Sequence, residues 1–286
     1  MKTLNIFILL LATIFAVPGM GQTNSNKNTS LQEALNHVET TEWLDLSKQT
    51  FEKLPDSLFL LTNLKYLDLS YTQLKELSPR IGNLKQLRYL VLSYNELKDI
   101  PEEITQLRLL QSLYLDHNPE LDVAAAIHLL NDIPSLRMLS LAGDNIRTIP
   151  NELGKLRTLE ILELSENDFS MLPATMVEME SLKVLYINNN AYLNFKDNLK
   201  VLSKIKNLNE LHIEYDGIDE IPKEISELKS VEYLFLVGNN IFQLPPEIGE
   251  MKNLRFLDMS DNPLPPIYNE SLAPQINIRF RRKYRD

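Results

Sequence analysis

The amino-acid sequence predicts a right-handed α/β solenoid. Its short parallel strands form a sheet on the concave face, and irregular or short helical segments line the convex face. The main evidence is a template that recurs every 23 or 26 residues over most of the 286-residue chain. Within each copy, apolar residues at positions 4 and 6 alternate with residues that face the other side of a strand. A strand that returns once per copy can pair only in parallel with its neighbours, through a right-handed crossover.

Ten copies of the template span residues 41–267. Apolar residues recur at positions 1, 4, 6, 11, 14, 18 and 21, position 9 carries Asn or another polar residue, and position 15 is often Pro. The copies begin at Thr41, Leu64, Leu87, Leu110, Leu136, Leu159, Leu182, Leu208, Val231 and Leu254. Because no copy can bury its apolar side chains alone, the copies must stack into one continuous solenoid.

Two further features of the template predict structure rather than function. The amide at position 9 can both donate to and accept from backbone groups of adjacent turns, so we expect it to stabilise the stack. In the two copies that are three residues longer, residues 123–130 and 195–202 have a helical pattern, and Asp122 and Asn194 precede them as N-caps. We predict two longer helices on the convex face.

The start of the chain predicts export. Residues 1–21 combine a basic start, a mostly apolar run from Leu4 to Val17 and small residues before Gln22, which is typical of a cleaved signal peptide. The run is too short for a comfortable membrane span; an uncleaved anchor is the alternative. Since the chain has no Cys that could be acylated, we expect a secreted or periplasmic protein without stable membrane insertion.

The ends of the solenoid need covers, because an open stack exposes its core and its strand edges. We assign residues 22–29 to a polar linker and residues 30–40 to a capping helix, which begins with a capping box from Ser30 to Glu33. Residues 268–286 are assigned to a C-terminal cap and a basic tail. The alternation of Ile276, Ile278 and Phe280 with polar residues predicts a last short strand there.

Segments such as Leu87 to Leu107, LRYLVLSYNELKDIPEEITQL, resemble the leucine-rich repeat family. The resemblance is to the 23-residue class that includes Ras-suppressor-like proteins and many bacterial repeat proteins. It covers nearly all of residues 41–267 and implies a horseshoe-shaped solenoid. Together with the short leader, it favours a secreted bacterial protein. The resemblance is far more specific for fold than for function.

Composition argues against several classes of function. A net charge of -10 is unlike that of a general nucleic-acid binder. The absence of cysteine excludes thiol nucleophiles and cysteine-ligated metals, and the four histidines form no recognisable metal or catalytic group. Acid pairs such as Glu160 with Glu163 are conceivable for glycoside hydrolysis. A shallow, wet face offers nothing obvious to bury one acid and raise its pKa, so we expect no enzyme, no cofactor and no metal.

Function in such a scaffold is expected on the concave face, at positions 2, 3, 5, 7 and 8. The candidate binding residues there are Trp43, Tyr66, Tyr71, Tyr89, Tyr94, Tyr114, His117, Glu163, Tyr186, His212, Glu214, Tyr215 and Phe235. At position 3, the aromatic side chains could instead pack along the sheet.

Aromatic side chains with mixed charge are typical of a protein-binding surface. The sequence therefore predicts a non-enzymatic module that binds a protein or peptide, with the acidic second half of the face favouring basic segments. The alternative is a glycan- or cell-wall-binding protein, in which the aromatic rings stack on sugars.

Overall fold

The computed structural model describes residues 27–264 and 277–279. Twelve strands form one parallel sheet in chain order. The strands are β1 (Lys27–Asn28), β2 (Trp43–Asp45), β3 (Tyr66–Asp68), β4 (Tyr89–Val91), β5 (Ser112–Tyr114), β6 (Met138–Ser140), β7 (Ile161–Glu163), β8 (Val184–Tyr186), β9 (Glu210–His212), β10 (Tyr233–Phe235), β11 (Phe256–Asp258) and β12 (Asn277–Arg279). Strands β2 to β11 come one from each repeat, so the predicted solenoid is confirmed.

The core lies on the side of the sheet that faces the convex segments, and it runs without interruption from Ala34 to Met259. The leucine at position 4 has no exposed surface in any of the ten repeats. Burying each such side chain stabilises the fold by about 1.5–3 kcal/mol. The next repeat supplies much of the covering surface, so the stack is the unit of stability.

The convex side is made of short helices. Within residues 27–264, seven 3-10 helices cover Asp56–Leu60, Pro79–Asn83, Glu102–Gln106, Asn151–Lys155, Ala174–Glu178, Lys223–Glu227 and Pro246–Glu250. The α-helices are α1 (Leu31–Leu35), α2 (Val123–Leu130) and α3 (Phe195–Leu202). As predicted, α2 and α3 occupy the two longer repeats, with Asp122 and Asn194 accepting hydrogen bonds from backbone amides of the first turn at 2.9 and 3.1 Å.

The ends differ in part from the sequence prediction. Helix α1 has only five residues, because bonds from Asn36 back to the preceding turn close it at Leu35. Lys27 and Asn28, which the sequence assigns to the linker, instead form β1 beside β2. At the other end, β12 pairs with β11 where a last strand is predicted. The predicted signal peptide and the tail beyond Arg279 lie outside the described residues. Among the described helices, none has the length and apolar character needed to cross a bilayer.

The position-9 column has the structural role that the sequence predicts. The Asn95 side-chain oxygen accepts from the backbone amides of Thr72 and Leu74, both at 3.0 Å. Its amide nitrogen donates to the carbonyls of Leu69 and Leu92 at 2.8 and 2.9 Å. One side chain thus satisfies buried backbone groups of two adjacent repeats.

Two repeats carry Asp instead of Asn in this column. Asp144 Oδ1 accepts from the backbone amide of Asn118 at 2.7 Å, and Asp216 Oδ1 does so from Asn190 at 2.6 Å. The second oxygen of each carboxyl is buried without a hydrogen-bond partner. Burial raises the pKa of both carboxyls to about 8.

Candidate functional site

The outer face of the sheet, by which we mean the face directed away from the core and called concave in the sequence prediction, carries side chains in columns. Three of these columns are at positions 3, 5 and 8 of the repeats. At position 3, Trp43 stacks on Tyr66 with 3.5 Å between ring centroids and 6° between ring planes, and Tyr89 follows at 6.5 Å. Tyr66 is only 6% exposed, and its hydroxyl donates to Asp68 at 3.2 Å. These rings therefore pack along the sheet, which is the alternative interpretation for this column.

The middle of the outer face is apolar and buried. Met138, Ile161, Val184 and Tyr186 form a cluster against which Tyr114 packs. Beside them at position 5, Glu163 is 1% exposed. Its Oε1 accepts from the Ser165 amide at 2.7 Å, and its Oε2 is buried without a hydrogen-bond partner.

This burial overturns one expectation from the sequence. Glu163 lies in register with Tyr186, a member of the apolar cluster, on the neighbouring strand. Burial raises the pKa of Glu163 to about 8, so the face does bury an acid. Since Glu163 and Tyr186 are almost fully buried, they support the surface from below. A ligand would contact the more exposed side chains of the same face.

A second stack lies further along position 5. The His212 ring lies between Tyr186, at 4.2 Å, and Phe235, at 4.1 Å. Its Nε2 is 2.8 Å from a carboxylate oxygen of Glu210, and its Nδ1 is 2.9 Å from one of Glu214. Burial alone would lower the pKa of His212, but the two carboxylates outweigh it and raise that pKa. The buried His212 ring thus joins two acids, in an arrangement that favours its protonated form.

Position 8, three residues after the last residue of each strand, forms a row in which every residue has positive φ. The members of this position-8 row are Lys48, Tyr71, Tyr94, His117, Gly143, Glu166, Asn189, Tyr215, Gly238 and Asp261. Gly, Asn and Asp adopt this left-handed conformation readily, whereas it costs other residues about 1–2 kcal/mol. Tyrosine at three of the ten places is therefore unfavourable for the backbone.

Tyr71, Tyr94 and His117 in this row form what we call the aromatic ladder. The Tyr71 and Tyr94 rings are 4.2 Å apart and within 9° of parallel, and the Tyr94 and His117 rings are 4.1 Å apart. His117 Nε2 also lies 3.8 Å from a carboxylate oxygen of Glu166. Tyr71 is 38% exposed, and the other two rings are half-buried. The ladder thus presents a continuous aromatic edge to solvent.

Two glycines of the row make room for aromatic rings. A Cβ at Gly143 would lie 2.2 Å from His117 Nδ1, and one at Gly238 would lie 2.2 Å from Tyr215 Cδ1. The ladder therefore ends against the Gly143 backbone, and the Tyr215 ring lies over Gly238 with 53% of the residue exposed. Sequence reasoning missed this pairing, although a glycine one repeat after an aromatic residue at position 8 is a readable signal.

The described residues contain no group of three or more His, Cys, Asp or Glu side chains arranged to hold a metal ion. At position 7, the carboxylate of Asp116 accepts hydrogen bonds from two hydroxyls. Ser93 Oγ donates to one of its oxygens at 2.7 Å, and Ser140 Oγ donates to the other. The part of the face that can meet another molecule directly includes the position-8 row and Tyr233, which is 37% exposed. Half-buried side chains such as Phe235 and Glu214 lie beside them.

Comparison with known proteins identifies the repeats. A family model described as "Leucine-rich repeat region" matches residues 121–213, and one described as "Leucine Rich repeats (2 copies)" matches residues 62–102. No curated protein matches the chain by sequence.

Several solved structures share the fold. The leucine-rich repeat protein LIC12759 of Leptospira interrogans is 26% identical, with 90% of this chain and 81% of that one covered and a TM-score of 0.55. An internalin (inlF) of Listeria monocytogenes is 19% identical, with 88% and 86% covered and a TM-score of 0.52. The Drosophila Toll–Spatzle complex matches at 18% identity and a TM-score of 0.71, over 90% of this chain and 34% of that one.

Proposed function

We propose that this chain, which is a leucine-rich repeat protein, is a non-enzymatic recognition module that binds a protein or peptide through its position-8 row. The observation that carries the proposal is the placement of exposed or half-buried tyrosines at backbone positions that disfavour them. Asn or Gly would fit the left-handed backbone of Tyr71 and Tyr94 without strain. Strain retained at an exposed position points to a use other than stability.

The chemistry of the row suits a protein ligand. Tyrosine provides a large contact area with few rotatable bonds and keeps a hydroxyl for hydrogen bonding. Stacking in the aromatic ladder holds the rings in place before any ligand arrives, which lowers the entropy cost of binding. Both matching family models describe repeat regions rather than enzymes.

Residues 1–21 support export of this module to the periplasm or the exterior, as the sequence predicts. A partner would then be an envelope or extracellular protein. A basic segment in that partner would match the acidic second half of the outer face.

The proposal is tested by capture of a partner on the immobilised whole chain from an envelope extract. The combined variant Tyr71→Ala and Tyr94→Ala should lose the captured protein and keep its thermal midpoint within a few degrees. Tyr192→Ala is the matched control, because Tyr192 is 67% exposed and lies before α3, outside the row. Unaltered capture by the double variant would refute the proposal. Binding to a glycan array that is lost in the double variant would favour the glycan alternative.

A further inference from the structure

The second half of the outer face has more acid than base, and its basic side chains are already engaged. Lys183 Nζ lies 2.6 Å from Glu160, and Arg255 Nε lies 3.3 Å from Glu232. Within the described residues, these pairs leave the nearby carboxylates of Glu214 and Asp261 without a lysine or arginine partner. Glu214 Oε1 is already 2.9 Å from His212 Nδ1, so the other oxygen of Glu214, Oε2, is the one that an arginine would contact.

Tyr215 lies among those carboxylates. It follows Glu214 in the chain, and its ring lies over Gly238, the row member between it and Asp261. Partial burial raises the pKa of its hydroxyl, and the negative charges of Asp261, Glu214 and Asp258 raise it further. An exposed aromatic ring with carboxylates around it is the environment that favours a guanidinium or ammonium group, through cation–π and ionic contacts.

The distance from Tyr215 to the aromatic ladder fits a short extended peptide. His117, the last ring of the ladder, belongs to the repeat of β5, and Tyr215 belongs to the repeat of β9. Neighbouring strands of a sheet are about 4.8 Å apart, so four steps span about 19 Å. An extended chain advances about 3.3 Å per residue and crosses this distance in about six residues.

We propose that the partner is an extended peptide segment that crosses the strand ends along the position-8 row. One aromatic or large apolar side chain contacts the aromatic ladder, and an arginine about six residues away contacts Tyr215, Glu214 and Asp261. We place the arginine at Tyr215 because its positive charge complements the carboxylates there. This inference rests on the proposed function and specifies the chemistry of its ligand.

The test uses the whole chain and synthetic peptides that carry one Trp and one Arg in a Gly/Ser background. Binding is measured by fluorescence anisotropy as the Trp–Arg spacing is varied on both sides of about six residues. The optimal spacing should bind most tightly, and replacing Arg with its neutral isostere citrulline should weaken binding about tenfold. Tyr215→Asn, which suits the left-handed backbone, should weaken binding of the Arg peptide about tenfold and leave the citrulline peptide unaffected. Tyr192→Ala should change neither.

Equal affinity for Arg and citrulline peptides, affinity that ignores the spacing, or no binding of any peptide would each overturn the inference. These results are separable from failure of the proposed function. A protein whose capture is lost in the ladder double variant, but is unchanged in Tyr215→Asn, would leave the recognition role in place and remove the arginine site.

Discussion

Asp144 provides a test of how the position-9 column stabilises the stack. We expect Asp144→Asn to stabilise the protein at neutral pH, because Asn supplies a donor where the buried Oδ2 has no partner. Asn167, in the next repeat, shows the arrangement that Asn makes possible. Its oxygen accepts from the amides of Asp144 and Ile146, at 3.1 and 3.0 Å, and its amide nitrogen donates to three carbonyls.

The pKa of Asp144 determines the size and pH dependence of the effect. Folding raises this pKa from 3.8 to about 8, so the folded state holds a proton that the unfolded chain releases between these values. The free energy of unfolding therefore falls as pH rises through this window, by about 1.4 kcal/mol per pH unit. At pH 7 the accumulated loss reaches up to about 4 kcal/mol, and an Asn side chain does not incur it.

Thermal unfolding by circular dichroism at several pH values measures this effect. At about pH 4 the variant and the parent should have nearly equal midpoints, and at about pH 7 the variant should unfold up to roughly 10 °C higher. Asn167→Asp is the matched reverse change and should destabilise the protein increasingly as pH rises. A difference between Asp144→Asn and the parent that does not vary with pH, or a lower midpoint for that variant at pH 7, would refute the reasoning.

Three further changes test other contacts. His212→Gln should destabilise the protein more at about pH 6 than at about pH 9, because the raised pKa of His212 means that its stabilisation is present at low pH and lost as pH rises through the folded value; equal loss at both pH values in thermal unfolding would contradict this. Asn95→Ala should lower the free energy of unfolding by about 3 kcal/mol or more in urea titration, since it leaves several buried backbone groups unpaired. Gly154→Ala should cost about 1–3 kcal/mol in the same assay, because the new Cβ would lie 2.2 Å from the Thr175 carbonyl oxygen; an unchanged midpoint would mean that the adjacent 3-10 helices can move apart.

Most of the fold is predictable from the sequence because its determinants are local and repeated. The period identifies one strand per repeat, and the residues at positions 4 and 6 identify the core. Helices α2 and α3 were predictable from Asp122 and Asn194, whose side chains cap the first turn. The ends were less predictable, since β1 has only two residues and depends on the neighbouring strand rather than on its own composition.

The sequence predicts which side chains of the candidate site lie on the outer face, but not which of them are buried. Alternation places Glu163, Tyr186 and His212 on the outer face, but their burial depends on the size of side chains in neighbouring repeats. The same holds for Tyr215, whose orientation requires that Gly238 lack a side chain. Such contacts join residues 23 or 26 positions apart, so they become visible only when the repeats are set side by side.

The backbone of the position-8 row has the same conformation in every repeat, whereas its side chains differ. Since Gly, Asn, Lys and Tyr all occupy the same geometry there, a point substitution at a member of the row other than Gly143 or Gly238 can change the displayed side chain without moving a strand. Loss or gain of one whole repeat between His117 and Tyr215 would instead change their separation by one strand spacing, about 4.8 Å. For the proposed peptide, the number of repeats between His117 and Tyr215 would therefore set the spacing of its aromatic and arginine side chains.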